Sequence, residues 1–177
     1  CYGAGTGASV GKLTGFEHAM KSGAGYAEII LADGLAVGAY MAVNACGEIY
    51  DQDKILAGAL ADDDRTIISS HRLMLEGYER NMGGNTSIGC IITNADLTKT
   101  ECRMVSTMAH DGLARSIRPV HTSMDGDTLF TMASGEVKTT IDTVGYLAEE
   151  AVRLAVLDAA ASAEGMGGRP AYRDIIK

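Results

Sequence analysis

A mixed α/β (α+β) fold in a single domain is the prediction from this sequence, and three observations carry it. Its 177 residues are enough for one sizeable core and too few for two. Asp33-Gly34, the strongest short hairpin signal, lies between two apolar, β-rich runs. Beyond residue 85 the chain alternates β-rich stretches with segments of helical period, in the order βαβα, which implies sheet covered by helices.

Residues 3–12 (Gly3 to Lys12) read as a Gly-rich loop in which the backbone approaches its neighbours closely. A phosphate-binding P-loop would need Gly at position 6 and Ser or Thr after Lys12, where the chain has Thr6 and Leu13. Gly3-x-Gly5-x-x-Ala8 fits a dinucleotide pattern but has no preceding strand to build a βαβ unit. Residues 26–32 and 35–44 form the two strands of the hairpin, with Asn44 closing the second. Residues 65–82 read as a helix that follows the carboxylates of Asp62-Asp63-Asp64 and runs into a Gly83-Gly84 hinge. Thr86–Thr93 is a strand rich in Ile, and Thr98-x-x-Glu101 is a capping box opening a helix with Cys102, Val105, Ala109, Leu113 and Ile117 on one face. Thr128–Ala133 is a further strand. Thr139 or Thr140 caps a long helix through about Ala163, striped by Val144, Leu147, Ala151, Leu154 and Leu157 or Asp158. Gly165-Met166-Gly167-Gly168-Arg169-Pro170 ends it.

Composition narrows the function. Apolar residues make up 46% of the chain, yet Trp is absent and Phe occurs twice, so the core is built from Ala, Val, Ile, Leu and Met around many Gly. A formal charge of −8 with no basic cluster argues against a nucleic-acid or anionic-membrane partner. Cys1, Cys46, Cys90 and Cys102 show no metal-site or disulfide spacing and read as reduced, mostly buried thiols. No apolar run is long enough to span a bilayer and no signal pattern opens the chain, so the expected location is cytoplasmic.

The chemistry centres on Asn85-Thr86, a peptide bond directly after Gly83-Gly84 and at the mouth of a strand. A Thr in this position can attack the carbonyl before it, cut its own chain and emerge as an N-terminal nucleophile whose α-amine is the base. The same dipeptide also suits an ordinary turn-to-strand junction. Asp125 and Asp127 are two apart, so in an extended stretch both carboxylates share a face, close enough to repel and share a proton. Asp-Gly-Asp also suits a solvated turn, and His121-x-x-x-Asp125-x-Asp127 supplies mixed N/O ligands for a metal. From the residues alone, Asn44 is a strand-end turn residue or an amide donor to an oxyanion, and Lys12 is a surface residue or a site cation.

Several blocks then occur in one order. These are Gly3-Ala4-Gly5-Thr6-Gly7-Ala8-Ser9-Val10-Gly11-Lys12, Val43-Asn44-Ala45, Gly84-Asn85-Thr86-Ser87-Ile88-Gly89 and Thr93-Asn94-Ala95. They continue as Ala109-His110-Asp111-Gly112-Leu113-Ala114-Arg115, Arg118-Pro119-Val120-His121-Thr122 and Asp125-Gly126-Asp127-Thr128. Together they resemble the DmpA-type L-aminopeptidase/D-esterase family of self-processing hydrolases, most closely the members around nylon-oligomer hydrolase, which split before a Thr.

The resemblance implies an αββα sandwich of the DmpA and ornithine acetyltransferase-like type, incomplete at the N-terminus, since family members begin with a further long segment. It implies cleavage of one hydrolase domain, residues 1–177, into 1–85, the C-terminal part of an α chain, and 86–177, the β chain. Thr86 is then the nucleophile, Asn44 an oxyanion donor, Asp125 and Asp127 the groups that orient the Thr86 hydroxyl and amine, and Lys12 a cation of the active centre. No cofactor or metal is implied. Neither His18, His71, His110 nor His121 is required, and His110 reads as structural. Expected partners are a small peptide, amide or ester substrate, an N-terminal segment or companion chain, and further copies in a homo-oligomer. An inactive structural or regulatory fragment, and a metal-dependent hydrolase using His121, Asp125 and Asp127, remain the alternatives.

Overall fold

A computed structural model of the chain describes residues 3–63, 65–78 and 84–176. Its strands are β1 (Ser9–Val10), β2 (Met20–Lys21), β3 (Ala24–Ile30), β4 (Ala36–Ala42), β5 (Glu48–Asp51), β6 (Lys54–Ala57), β7 (Ala59–Leu60) and β8 (Ile67–Ile68). After helix α1 (Ser70–Leu75) come β9 (Ile88–Ala95), α2 (Lys99–Ser116), β10 (Ile117–Arg118), β11 (Thr128–Val137), α3 (Ile141–Ala161) and α4 (Tyr172–Ile175).

The main sheet has the order β11-β9-β4-β3. β3 and β4 are the predicted hairpin, β3 shifted two residues towards the N-terminus and β4 trimmed at both ends, closed by Leu31 N–H on the Leu35 carbonyl (2.8 Å) and turned at Gly34 with φ 88°. β9 and β11 run parallel and are joined through α2, the crossover that a parallel pair needs. β9 begins at Ile88, two residues later than expected. Its far end is tied to the hairpin by side chains: Thr93 Oγ1 donates to the Ala36 carbonyl, and Asn94 accepts from Ala36 N–H while donating to the Gly34 carbonyl.

Strand alternation sends Val37, Ala39, Met41, Ile91 and Leu129 to one face, where α2 and α3 cover them. The capping box at Thr98 is present, with Glu101 Oε2 accepting from Thr98 N–H at 2.8 Å, and Thr140 caps α3. Val105, Ala109 and Leu113 of α2 meet Val144, Ala148, Ala151, Val152 and Ala155 of α3 in a core of small side chains. Small residues let the layers approach closely: a Cβ on Gly25 would collide with the Ala155 carbonyl and the Ala159 backbone of α3. The other face of the sheet carries Tyr26, Tyr40, Ile88, Ile92, Phe130 and Met132, all exposed, with Tyr26, Tyr40, Cys90 and Phe130 on one rung. Among the described residues the main sheet is therefore covered by helices on one face, with smaller sheets β10-β5-β6, β1-β2 and β7-β8 beside it.

The helix expected over 65–82 is much shorter. α1 spans six residues, and its cap is Ser69, whose side chain accepts from Arg72 N–H. Asp63 folds its own turn, accepting from the amides of Arg65 and Thr66, while Asp64 and residues 79–83 lie outside the described residues. What fixes α1 is tertiary: Glu48, fully buried on β5, accepts from Ser70 N–H and from Tyr50 Oη. Burial pushes the Glu48 carboxyl above its usual range, with hydrogen bonds from Ser70 and Tyr50 opposing.

Residues 3–12 do approach their neighbours closely, with β1 inside them, and a Cβ on Gly11 would strike Gly58 and Ala59. Lys21 secures this loop: its buried ammonium donates to the carbonyls of Gly5, Ala8 and Ser22. Cys46 is buried and Cys90 and Cys102 are half-buried, all three as free thiols. No helix among the described residues is long and apolar enough to cross a membrane.

Candidate active site

Asn85 and Thr86 lie where four segments meet: the loop leaving β1, the turn after β4, the start of β9 and the turn before β11. Asn85 is buried and forms a parallel bridge with Asp125, and Thr86 is exposed. The Asn85 carbonyl oxygen accepts from Thr86 Oγ1 at 2.5 Å and from Gly126 N–H at 2.9 Å. The hydroxyl thus rests on the carbonyl of its own peptide bond, and a backbone amide polarises that carbonyl. On the other side of the bond, Thr86 N–H donates to the Asn44 carbonyl at 3.0 Å.

Asn44 sits two residues beyond β4, in the turn, and its side chain is fixed by two donors to Oδ1: Lys12 Nζ at 2.7 Å and Ser9 N–H at 3.2 Å. Both require an acceptor, so the oxygen faces them and Nδ2 is left with no partner among the described residues. Lys12 is buried and also donates to the Asn44 carbonyl at 3.1 Å. Burial pulls its pKa down from 10.5 to about 8, opposed by electrostatic coupling to Cys46 and Asp125. The same burial pushes the Cys46 thiol up to about 11.

The two carboxylates do not converge on the Thr86 hydroxyl. Asp125 accepts from Cys46 N–H at 3.1 Å through Oδ1 and from Thr122 N–H and Oγ1 through Oδ2. Asp127 accepts from Ser87 N–H at 2.8 Å through Oδ1, and its Oδ2 meets His121 Nδ1 at 3.0 Å. Each carboxylate is held by donors of its own, although the stretch between them stays extended, with Gly126 N–H on the Asn85 carbonyl and Thr128 N–H on the Ser87 carbonyl continuing the pairing of β11 with β9. Metal binding by His121, Asp125 and Asp127 is not supported either, since no group of three His, Cys, Asp or Glu side chains among the described residues is placed to hold an ion. His110 is on α2, as expected, with its ring 4.9 Å from that of His121.

The structure therefore brings Lys12, Asn44, Asn85, Thr86, Asp125 and Asp127 into one cluster. It adds groups that side-chain chemistry could not suggest: the Gly126, Cys46 and Ser87 amides. Gly126 has a local reason to be glycine, since a Cβ there would lie 2.8 Å from Thr86 Oγ1. Ser87, the neighbouring hydroxyl, is fully buried with no hydrogen-bond partner among the described residues, which leaves Thr86 as the accessible one of the two.

The sequence profile of peptidase family S58 matches residues 1–173. The chain belongs to that family. It is 35% identical to an uncharacterized aminopeptidase of Mycobacterium leprae over 96% of this chain and 51% of that protein. To the 6-aminohexanoate-oligomer endohydrolase of Kocuria sp. it is 31% identical, over 76% of this chain and 39% of that enzyme. The chain spans about half the length of the aminopeptidases it matches. Among solved structures it superposes on a Burkholderia sp. beta-aminopeptidase with a TM-score of 0.62 at 21% identity, over 96% of this chain and 48% of that one. It superposes equally well, at 0.62 and 19% identity, on the L-aminopeptidase D-Ala-esterase/amidase of Ochrobactrum anthropi, over 94% of this chain and 45% of that one. That enzyme is described as a variant of the Ntn hydrolase fold, and the S58 chain shares its architecture.

Proposed function

We propose that this chain is the catalytic portion of a self-processing amide hydrolase in which Thr86 is both the residue at which the chain is cut and the nucleophile released by the cut. The observation that carries the reading is the Asn85 carbonyl, which receives the Thr86 hydroxyl and the Gly126 amide together. In processing, Thr86 Oγ1 attacks the Asn85 carbonyl carbon, and the negative charge that develops on the oxygen is met by Gly126 N–H. The C–N bond then breaks, the Thr86 nitrogen takes a proton, and the acyl group is left as an ester on Oγ1. Water hydrolyses the ester to an Asn85 carboxylate and a free Thr86 hydroxyl.

The same residues serve turnover. The freed α-amine, with an ordinary pKa of about 7.7 to 8.0, is a base near neutral pH carried by the nucleophile itself. Asn44 holds this amine on its carbonyl and presents Nδ2 as the donor for the substrate oxyanion, while Lys12 fixes the orientation of both groups. Asp125 anchors the Cys46 backbone beside them, and Asp127 anchors that of Ser87. The substrate class is small peptides, amino-acid amides and esters, or ω-amino-acid oligomers, in keeping with relatives named aminopeptidase and 6-aminohexanoate-oligomer endohydrolase.

Mass spectrometry of the aged full-length protein tests the reading. A cut that leaves Thr86 as a new N-terminus is expected, with Thr86→Ala abolishing both cutting and hydrolysis and Thr86→Ser keeping part of each. Full amidase activity in Thr86→Ala would place the nucleophile elsewhere. Exhaustive chelation is expected to leave activity intact; silencing by a chelator with rescue by a divalent ion would restore the metal reading.

A further inference from the structure

His121 makes no contact with Thr86, yet it holds a residue that holds the nucleophile's backbone. Asp127 is an inward-facing carboxylate whose side chain is 2% exposed, and both of its oxygens are engaged from opposite sides, by Ser87 N–H and by His121 Nδ1. We infer that His121 is a positioning residue for the reaction proposed above: by gripping Oδ2 of Asp127 it fixes the carboxylate plane so that Oδ1 holds the Ser87 amide, and with it the rotation of Thr86. The inference rests on Thr86 being the nucleophile.

Three features carry it. A carboxylate held by one donor can still turn about its Cβ–Cγ bond, and a second donor on the other oxygen removes that freedom. Thr86 is flanked by two peptide amides, its own bound to Asn44 and the next bound to Asp127, so the direction of its side chain depends on both anchors. Loss of one leaves the residue pivoting on the other.

The second feature is the backbone of His121, at φ 55° in the left-handed region. That conformation is strained for most residues with a Cβ and suits Gly best, with Asn, Asp and His next. The turn it belongs to is closed by Thr122 N–H and Oγ1 on Asp125, so the backbone could be satisfied by a residue that fits it better. The backbone alone thus does not require an imidazole there, and what distinguishes His121 is its side-chain bond to Asp127.

The third feature is the wall behind the ring. His110 of α2 packs against His121 at 4.9 Å with the planes tilted by 59°, which limits how the imidazole can swing away from Asp127. Burial first, then the neighbouring His121, favours the neutral form of His110, so this wall does not compete for the Asp127 charge. The two rings and Arg103 line one cleft.

Three variants of the full-length protein separate the side chain from the backbone. His121→Gly relieves the φ strain and removes the donor, His121→Ala removes the donor alone, and His121→Asn fits the φ while keeping a side-chain N–H near the Nδ1 position. Cutting at Asn85-Thr86 is followed by mass, turnover by kcat and KM separately, and folding by thermal melting. The role predicts that His121→Gly and His121→Ala are cut and turn over about 10-fold or more slowly with KM within about twofold, while His121→Asn stays within about threefold of the wild type. A His121→Gly protein that matches the wild type in cutting and kcat overturns the role, as does a folded His121→Asn protein as slow as His121→Gly. A wild type that hydrolyses amides without being cut at Thr86 overturns the reading of the site and this role with it, whereas a wild type that is cut and a Gly variant that equals it sink the role alone.

Discussion

The helix-covered layer and the loop cluster around Thr86 are built by opposite rules. Between α2, α3 and the sheet, the contacts are made by Val, Ala, Leu and Gly, with no buried charge among them. In the loops and short strands beside that layer, Lys12, Lys21, Glu48, Asn85 and Ser87 are all buried, and most of their partners are backbone amides and carbonyls. Burying such groups costs stability unless every donor and acceptor is met, so the loop cluster depends on the layer beneath it to hold the loops in register. The layer supplies folding free energy and the cluster spends it on geometry.

Three substitutions break or sharpen that contrast. Asn44→Ala removes both the amide proposed to meet the oxyanion and the acceptor for Lys12, and kcat is expected to fall about 10²-fold with little change in KM. A rise in KM at constant kcat would make Asn44 a substrate contact instead. On the other side of the divide, Gly25→Ala forces a methyl group into the α3 backbone and is expected to cost about 1–3 kcal/mol of stability in denaturant titrations, while each folded molecule turns over at the normal rate. If this variant lost activity without losing stability, the two regions would not be separable.

The smallest effect concerns pH. Lys12 loses its proton as pH rises through about 8, the range in which the α-amine proposed for Thr86 would become a free base. Activity should therefore climb towards pH 8 and decline beyond it, and Lys12→Met should lose the declining limb. Stability moves the other way. The folded pKa of Lys12 lies below its ordinary 10.5, so between about 8 and 10.5 the unfolded chain binds the extra proton and stability increases with pH. In Lys12→Met that increase is absent.

What was legible in the sequence follows the same division. The Asp33-Gly34 hairpin and the Thr98 capping box were readable because the hydrogen bonds that make them lie within a few residues. The layer's βαβα order was readable from its apolar period. Residues 65–82 misled, because the helix-compatible pattern there is overruled by Glu48, 22 residues away from Ser70. At the site, the residue types of Lys12, Asn44, Thr86, Asp125 and Asp127 were apparent through the S58 resemblance, but not their partners. Asp125 and Asp127 do lie on an extended stretch, but their oxygens are taken up by the Cys46 and Ser87 amides, partners that the sequence spacing could not name. His121 was set aside since the nucleophile carries its own base, and Gly126 went unremarked since its contribution is a backbone N–H.

The sheet order places β9 beside β4, so the covalent link between residues 85 and 86 joins two segments that are also joined by a ladder of six paired residues, from Ala42 opposite Ile88 to Val37 opposite Thr93. Asn85 and Thr86 are each anchored on their own side of the bond, to Met124 and Gly126 in one case and to Asn44 in the other. A chain severed there has no contact to rearrange, and it changes in molecularity rather than in shape. Unfolding would release two chains, refolding would require them to find each other, and the apparent stability would depend on protein concentration as it does for an obligate dimer. Dilution, which leaves the uncut chain untouched, would unfold the cut one.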